Sequence, residues 1–482
     1  MKRTISISCF IALNIIIFII FFPWLKGHYA TDSYNIINVG YDYYSIHNSL
    51  LDGRVFMYLI MQLANIINMD FQILQSILLS LALIVSNISV WLVQHLAFDI
   101  MKKKDKKNYV ISYIIAFTFV YNFTYIENLY FLECFVMAIA VLLNLIAAKI
   151  YCNKKRWHVL KASLLLILSI FCYQGTLSSF VTFVILSEAL KDQKLKEFIK
   201  NISLSLTPIC IACACNFTFV KLMSYVIKLQ QSRINTSIFT NIAHILKNIF
   251  IVPIQISNQY FEGMFIILAI ILILLFIYAF EYKKNKSLYL VFFAFIIFIN
   301  ILCTNLPHII SLSSFNAART RFSLGALLSV FIIYIFSQEC HINSRELITT
   351  KRILYSFVVV YFLLNTINYV ETIYYTTTIQ AYEQEYVVKL AEDMIKYEKG
   401  NDIVIKKIQL VYDKNFNAFI PNVKNVPYIT WNACLCSWSA VGTINFYSGR
   451  NLTKLTDKPI ESSMDKLYDF RDDVLYFKIA VY

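Results

Sequence analysis

WLKGHYATDSYNIINVGYDYYSIHNSLLDGR, residues 24–54, is the first polar stretch of the chain, and apolar runs flank it on both sides. It holds three carboxylates (Asp32, Asp42 and Asp52), Arg54 at its end, and six aromatic rings. A chain that only had to turn round between two membrane-embedded stretches would use a few residues here. A loop this long, acidic and aromatic reads as a place where something binds.

The rest of the sequence fits that frame. Hydrophobic residues make up 59% of the 482 positions and charged residues only 15%. Apolar runs of about 17–25 residues recur, the length that crosses a bilayer as a helix. The class predicted is an all-α polytopic membrane protein. A formal charge of +14 would suggest nucleic acid in a soluble protein. Here the lysines sit in short loops between apolar runs, so membrane topology accounts for them and no nucleic-acid partner is expected. Met1-Lys2-Arg3 and the apolar run to Pro23 imitate a signal peptide without its small-residue cleavage pattern, which predicts an uncleaved first helix with a cytoplasmic N-terminus. Cys210, Cys213 and Cys215 lie in an apolar run without His or carboxylate neighbours, so packing explains them better than metal.

Positive loops set the topology expected. Residues 24–54 then face outward, and Lys102 to Lys107 face the cytoplasm. Val55–Met69 would reach only ~22 Å as a helix, short of a ~30 Å core, and reads as an interfacial helix before a span at Ile73–Phe98. Tyr109–Tyr125 and Tyr130–Tyr151 follow. Val159–Leu190 reads as a hairpin with Gln174 and Gly175 at its outer tip. Later spans enclose two more outer loops, 221–263 (with Lys228, Arg233, His244 and Lys247) and 307–321 (with Arg319 and Arg321). The total is about eleven spans, the last being Ile353–Val370. Beyond residue 370 polar residues become common. Helical spacing at Gln380–Tyr397 and strand patterns at Lys406–Asp413 and Val474–Val481 predict a small α/β domain over 371–482, outside the membrane. Cys434 and Cys436 flank a single residue, too close for an unstrained disulfide.

Charge is sparse in the apolar runs and gathers at their outer ends, where Glu127 and Glu133 also lie. A transporter would place ionisable groups near the midplane. Acids and arginines at headgroup depth suit an enzyme acting on a lipid-linked substrate, since Arg forks bind phosphate and a carboxylate takes a proton from an attacking hydroxyl. A single outer-loop aspartate is ordinarily solvated loop. Three of them beside Arg54 make loop and site equally good readings. Glu133, inside an apolar run, is costlier to place. Most tyrosines and phenylalanines read as an interfacial belt.

Asp32-Ser33-Tyr34, then Gly53-Arg54 and an apolar helix, with Tyr173-Gln174 at a hairpin tip and a modest outward C-terminal domain, resembles the Gtr-type integral-membrane glucosyltransferases that decorate bacterial O-antigen. The resemblance implies a GT-C-like architecture, an undecaprenyl-phosphate-linked glucose donor, and transfer to O-antigen on the periplasmic face of the inner membrane. Many relatives carry two adjacent acids where this chain has Asp32-Ser33, which leaves open whether Asp32 alone or Asp42 completes the acidic site. On this reading Asp32 is the general base with Asp42 as the alternative. Arg54, Arg319 and Arg321 hold the donor phosphate. Glu133, Tyr173, Gln174 and Asp52 line the sugar pocket, and the C-terminal domain positions the acceptor through Phe416, Trp431 and Trp438. No cofactor or metal is expected, because there is no phosphate-cradling Gly-rich loop and no Cys/His set at ligand spacing. An O-antigen polymerase and a polysaccharide or lipid flippase are the alternatives.

Overall fold

A computed structural model describes residues 2–101, 105–191, 193–229, 251–261, 264–281, 286–303, 317–338, 345–412 and most of 438–479, with isolated positions between 243 and 249. Arg233, His244, Lys247, Phe416, Trp431, Cys434 and Cys436 lie outside the described residues.

Among the described residues the chain is mostly helical up to residue 401 and ends in a small sheet. The expectation of about eleven spans is corrected. Among the described residues four helices are long and apolar enough to cross a membrane: Phe71–Ile100, Cys134–Cys152, Leu195–Ile227 and Arg352–Asn401. The physical reason lies in what the other apolar runs do. Lys106–Val120 and His158–Cys172 are helices of 15 residues and Ser178–Ala189 one of 12. At 1.5 Å per residue these reach only ~18–22 Å, short of a ~30 Å hydrocarbon core. Every residue of Ser178–Ala189 is buried, and so is nearly all of Lys106–Val120 from Asn108 onward. The apolar surface of these two is covered by protein, so they build a core, while His158–Cys172 leaves Leu160, Leu164 and Leu168 exposed but is too short to cross.

Phe71–Ile100 shows the other pattern. Asp70 caps it, accepting from the amides of Gln72 (2.9 Å) and Ile73 (3.2 Å), which satisfies two of the orphan donors at a helix start. Ile73, Ile77, Leu81, Ile84, Ile88 and Trp91 form an exposed apolar stripe. Its opposite side carries Asn87 and Gln94, buried and bonded across the bundle. The Tyr121 hydroxyl donates to Asn87 Oδ1 (2.9 Å), and Gln94 Nε2 donates to Ser112 Oγ (2.9 Å). Apolar outside and hydrogen-bonded inside is the arrangement a lipid solvent selects. Val55–Ile66 is a helix of 12 residues, too short to cross. Met57, Met61 and Ala64 are buried on one side while Leu59, Leu63 and Ile66 are exposed on another, the division of an interfacial helix.

Between His158–Cys172 and Ser178–Ala189 the chain breaks, with Tyr173 extended (φ −163°, ψ 120°) and a 3-10 turn over Gln174–Thr176. A helix of 57 residues, Arg345–Asn401, then joins the two cores of the molecule. At 1.5 Å per residue it is ~85 Å long, far more than a bilayer needs. Tyr361, Tyr369 and Ile373 pack in the bundle, and Val387, Leu390 and Met394 pack under the sheet.

That sheet has strands β1 (Lys407–Tyr412), β2 (Thr453–Lys454), β3 (Ile460–Glu461), β4 (Tyr468–Arg471) and β5 (Val474–Ile479). The order is β2-β1-β5-β4, with β3 also pairing β1. β1 and β5 run parallel, Lys407 opposite Val474 through Tyr412 opposite Ile479, and β4 returns antiparallel to β5. Both central strands are buried along most of their length, as parallel strands covered on two faces are. Helix Ala440–Ser448 leaves this domain to pack on helix Ser33–Val39 of the opening loop. Gly442 makes the approach possible, because a Cβ there would meet the Tyr34 carbonyl oxygen at 2.5 Å.

Candidate functional site

Residues 24–54 are folded into short helices held from both sides. Trp24 is buried and donates to Thr376 Oγ1 on the long helix (2.9 Å), while its ring stacks on His28 (4.9 Å). The His28 ring bonds the carbonyls of Trp24 (3.1 Å) and Tyr130 (2.7 Å). Burial lowers the His28 pKa, and the hydrogen bonds to the Tyr130 and Trp24 carbonyls oppose the fall. The Tyr29 carbonyl takes hydrogen bonds from the Tyr130 hydroxyl (3.1 Å) and from Gln380. Ser33 Oγ accepts from the Ala30 amide (2.8 Å), closing the turn that leads into helix Ser33–Val39.

Asp32 stands at the start of that helix and is half-buried, and its carboxylate makes no capping bond. At the loop's other end Gly53 adopts φ +76°, with no room for a Cβ, which would meet Asn216 Nδ2 at 2.5 Å. The backbone there is clamped by Gln174 Nε2 donating to the Asp52 carbonyl (2.6 Å) and Asn216 Nδ2 donating to the Gly53 carbonyl (3.2 Å). The clamp aims Arg54 inward. Its guanidinium lies 5.1 Å from the Tyr173 ring centre, 3.6 Å from the Glu133 carboxylate and 3.8 Å from that of Asp52.

Glu133 occupies the N-cap position of helix Cys134–Cys152 without a side-chain cap bond, where the helix dipole favours an anion. Burial nonetheless raises its pKa, Arg54 opposes the rise, and the negative charge of Asp32 adds to it. Burial would lower the Arg54 pKa, but Asp52, Tyr173 and Glu133 together outweigh it and hold the guanidinium charged. Across the site Glu127 is fully buried and accepts from the Arg319 side chain and from the Arg319 amide (2.9 Å). Arg319 lies over the Phe131 ring at 4.4 Å. Burial would lower its pKa too, and Glu127 outweighs that, with Asp32 and Glu133 adding.

Asp32, Asp52, Arg54, Glu133, Tyr173, Gln174 and Arg319 are thus brought into one cluster. Asp42 is held elsewhere, accepting from Gln62 (2.8 Å) on the interfacial helix. Arg321 is buried at the head of helix Phe322–Gln338, and burial lowers its pKa to about 10. Asn216 and Phe131 were missed from sequence. The signal for Asn216 was an amide inside an apolar run, while Phe131 gave none. Trp438, expected at the acceptor, is part-exposed next to helix Ala440–Ser448.

Part-buried arginines paired with buried carboxylates at the edge of a membrane bundle can take an incoming phosphate on the guanidinium forks. A nearby carboxylate that makes no cap bond can take a proton. No curated protein and no solved structure matches the chain. The family model described as Glucosyl transferase GtrII matches residues 21–336, a stretch that contains every member of the cluster. That assignment lends nothing to the polymerase or flippase readings. Spanning most of the chain and all of its charged cluster, the match places this protein in the GtrII glucosyl transferase family, as a membrane glycosyltransferase that moves a glucosyl residue from a lipid-linked donor to a polysaccharide.

Proposed function

We propose that the donor is glucose on undecaprenyl phosphate, that the acceptor is the O-antigen repeat unit, and that transfer takes place on the periplasmic face of the bacterial inner membrane. Asp32 takes the proton from an acceptor hydroxyl, whose oxygen bonds to the anomeric carbon of glucose. The bond from that carbon to the phosphate oxygen breaks, and the lipid phosphate leaves with its negative charge opposite Arg54 and Arg319. Glu133, Asp52, Tyr173 and Gln174 surround the glucose, Glu133 and Gln174 bonding its hydroxyls. Asp42, held by Gln62 on helix Val55–Ile66, and Arg321 have no role in this scheme.

The observation that carries the reading is the placement of Asp32. Its carboxylate bears electrostatically on Glu133 and on Arg319, and no hydrogen bond or ion pair to it occurs among the described residues. The test uses the purified full chain in detergent with delipidated O-antigen. Undecaprenyl-phosphate-glucose should add one hexose per repeat by mass, and UDP-glucose should add none. Transfer from UDP-glucose alone would contradict the proposed donor.

A further inference from the structure

A cleft of about 610 Å³ opens between the first loop, the head of helix Phe71–Ile100 and helix Ala440–Ser448, within the ~300–1,000 Å³ of typical small-molecule sites. We infer that this cleft is the acceptor subsite, and that it holds an uncharged sugar segment of the polysaccharide against aromatic faces beside Asp32. The inference rests on the reading of the acceptor given above.

The lining has the chemistry of a sugar site. Tyr29, Tyr41, Phe446 and Tyr447 supply ring faces, and Asp70, Gln72 and Gln384 supply acceptors and amides. A pyranose presents C–H faces to rings and hydroxyls to amides and carboxylates, so it uses both kinds of group at once. The rings are held in place by one another. Tyr29 and Tyr34 stack at 4.4 Å, Phe446 lies 5.3 Å from Tyr34, and the Tyr34 and Tyr447 hydroxyls are hydrogen-bonded. Asp70 spends only Oδ1 on its helix cap, leaving Oδ2 outside those bonds. The Tyr41 hydroxyl has no hydrogen-bond partner among the described residues.

Among the described residues neither lysine nor arginine lines the cleft, whose described lining does not suit the donor's phosphate or an anionic headgroup. Its carboxylate and amides are equally wrong for an acyl chain. The position fits an acceptor. Tyr29, Ile36 and Ile37 line the cleft, and Asp32 stands between them in sequence at the start of the same helix. Gln384, Phe446 and Tyr447 come from residues beyond 336, outside the stretch the family model matches. One wall of the acceptor site is therefore built by the C-terminal region, which is then the part that selects the polysaccharide.

Binding of delipidated O-antigen to the purified full chain, followed by saturation-transfer NMR with no donor present, tests this apart from catalysis. Phe446→Ala and Gln384→Ala remove partly or fully exposed side chains and should each weaken polysaccharide binding about 3- to 10-fold, the loss expected for one ring or one hydrogen bond. In transfer assays the same variants should raise KM for the polysaccharide and leave KM for the lipid-linked donor unchanged. Weakened binding in a chain that transfers no glucose would uphold the cleft and sink only the catalytic scheme. Unchanged polysaccharide binding in both variants, or a rise confined to the donor's KM, would overturn the inference.

Discussion

At the scale of single residues, the Glu127–Arg319 pair shows how the site depends on compensation. Glu127 is fully buried and Arg319 is part-buried against it. Removing one member of a buried ion pair leaves the other uncompensated at a cost of about 3–5 kcal/mol, whereas replacing both with apolar residues is often neutral. Glu127→Gln should therefore lower the amount of folded protein in the membrane, and Glu127→Leu with Arg319→Met should restore the amount without restoring transfer. Recovery of both by the double variant would remove Arg319 from the phosphate site. The acids of the cluster were legible because a carboxylate in or beside an apolar run is costly and must be compensated, and the outer-loop arginines stood out for the same cost. The cleft was not legible. Tyr29, Tyr41, Phe446 and Tyr447 are tyrosines and a phenylalanine among many, and nothing in their spacing separates a sugar-facing ring from an interfacial belt.

At the scale of elements, the docking of helix Ala440–Ser448 on helix Ser33–Val39 couples the C-terminal domain to the loop that carries Asp32. Gly442 lies against the Tyr34 backbone, and Asn445 Nδ2 donates to Asn38 Oδ1 (3.1 Å). A backbone oxygen cannot yield as a side chain does, so Gly442→Val should push the two helices apart. The expected result is normal membrane abundance, transfer reduced at least tenfold, and weaker polysaccharide binding by NMR. Wild-type transfer by Gly442→Val would mean that the contact does not matter to the acceptor. This contact joins residues 413 positions apart at the Tyr34–Tyr447 pair, and one sequence gives no sign of it. The short buried helices escaped the sequence for a different reason. A run of 12 to 18 apolar residues reads alike whether lipid or protein covers it, so periodicity cannot separate a core helix from a span. The strands were easier, because β1 and β5 fall within the stretches Lys406–Asp413 and Val474–Val481 that the β-branched and aromatic pattern marks.

At the scale of the molecule, the long helix Arg345–Asn401 ties membrane bundle to sheet, and the opening loop is clamped between them by Trp24–Thr376 and Gln380–Tyr29. In the proposed scheme the donor phosphate at Arg54 and Arg319 and the acceptor held in the cleft come together at Asp32. The most direct measurement is the rate of glucose transfer from undecaprenyl-phosphate-glucose to delipidated O-antigen by purified wild-type and Asp32→Asn chains at equal folded concentration. Loss of a general base costs roughly 10²–10⁴-fold, so Asp32→Asn should fall by that much while still binding both substrates, and a wild-type rate from Asp32→Asn would contradict the account.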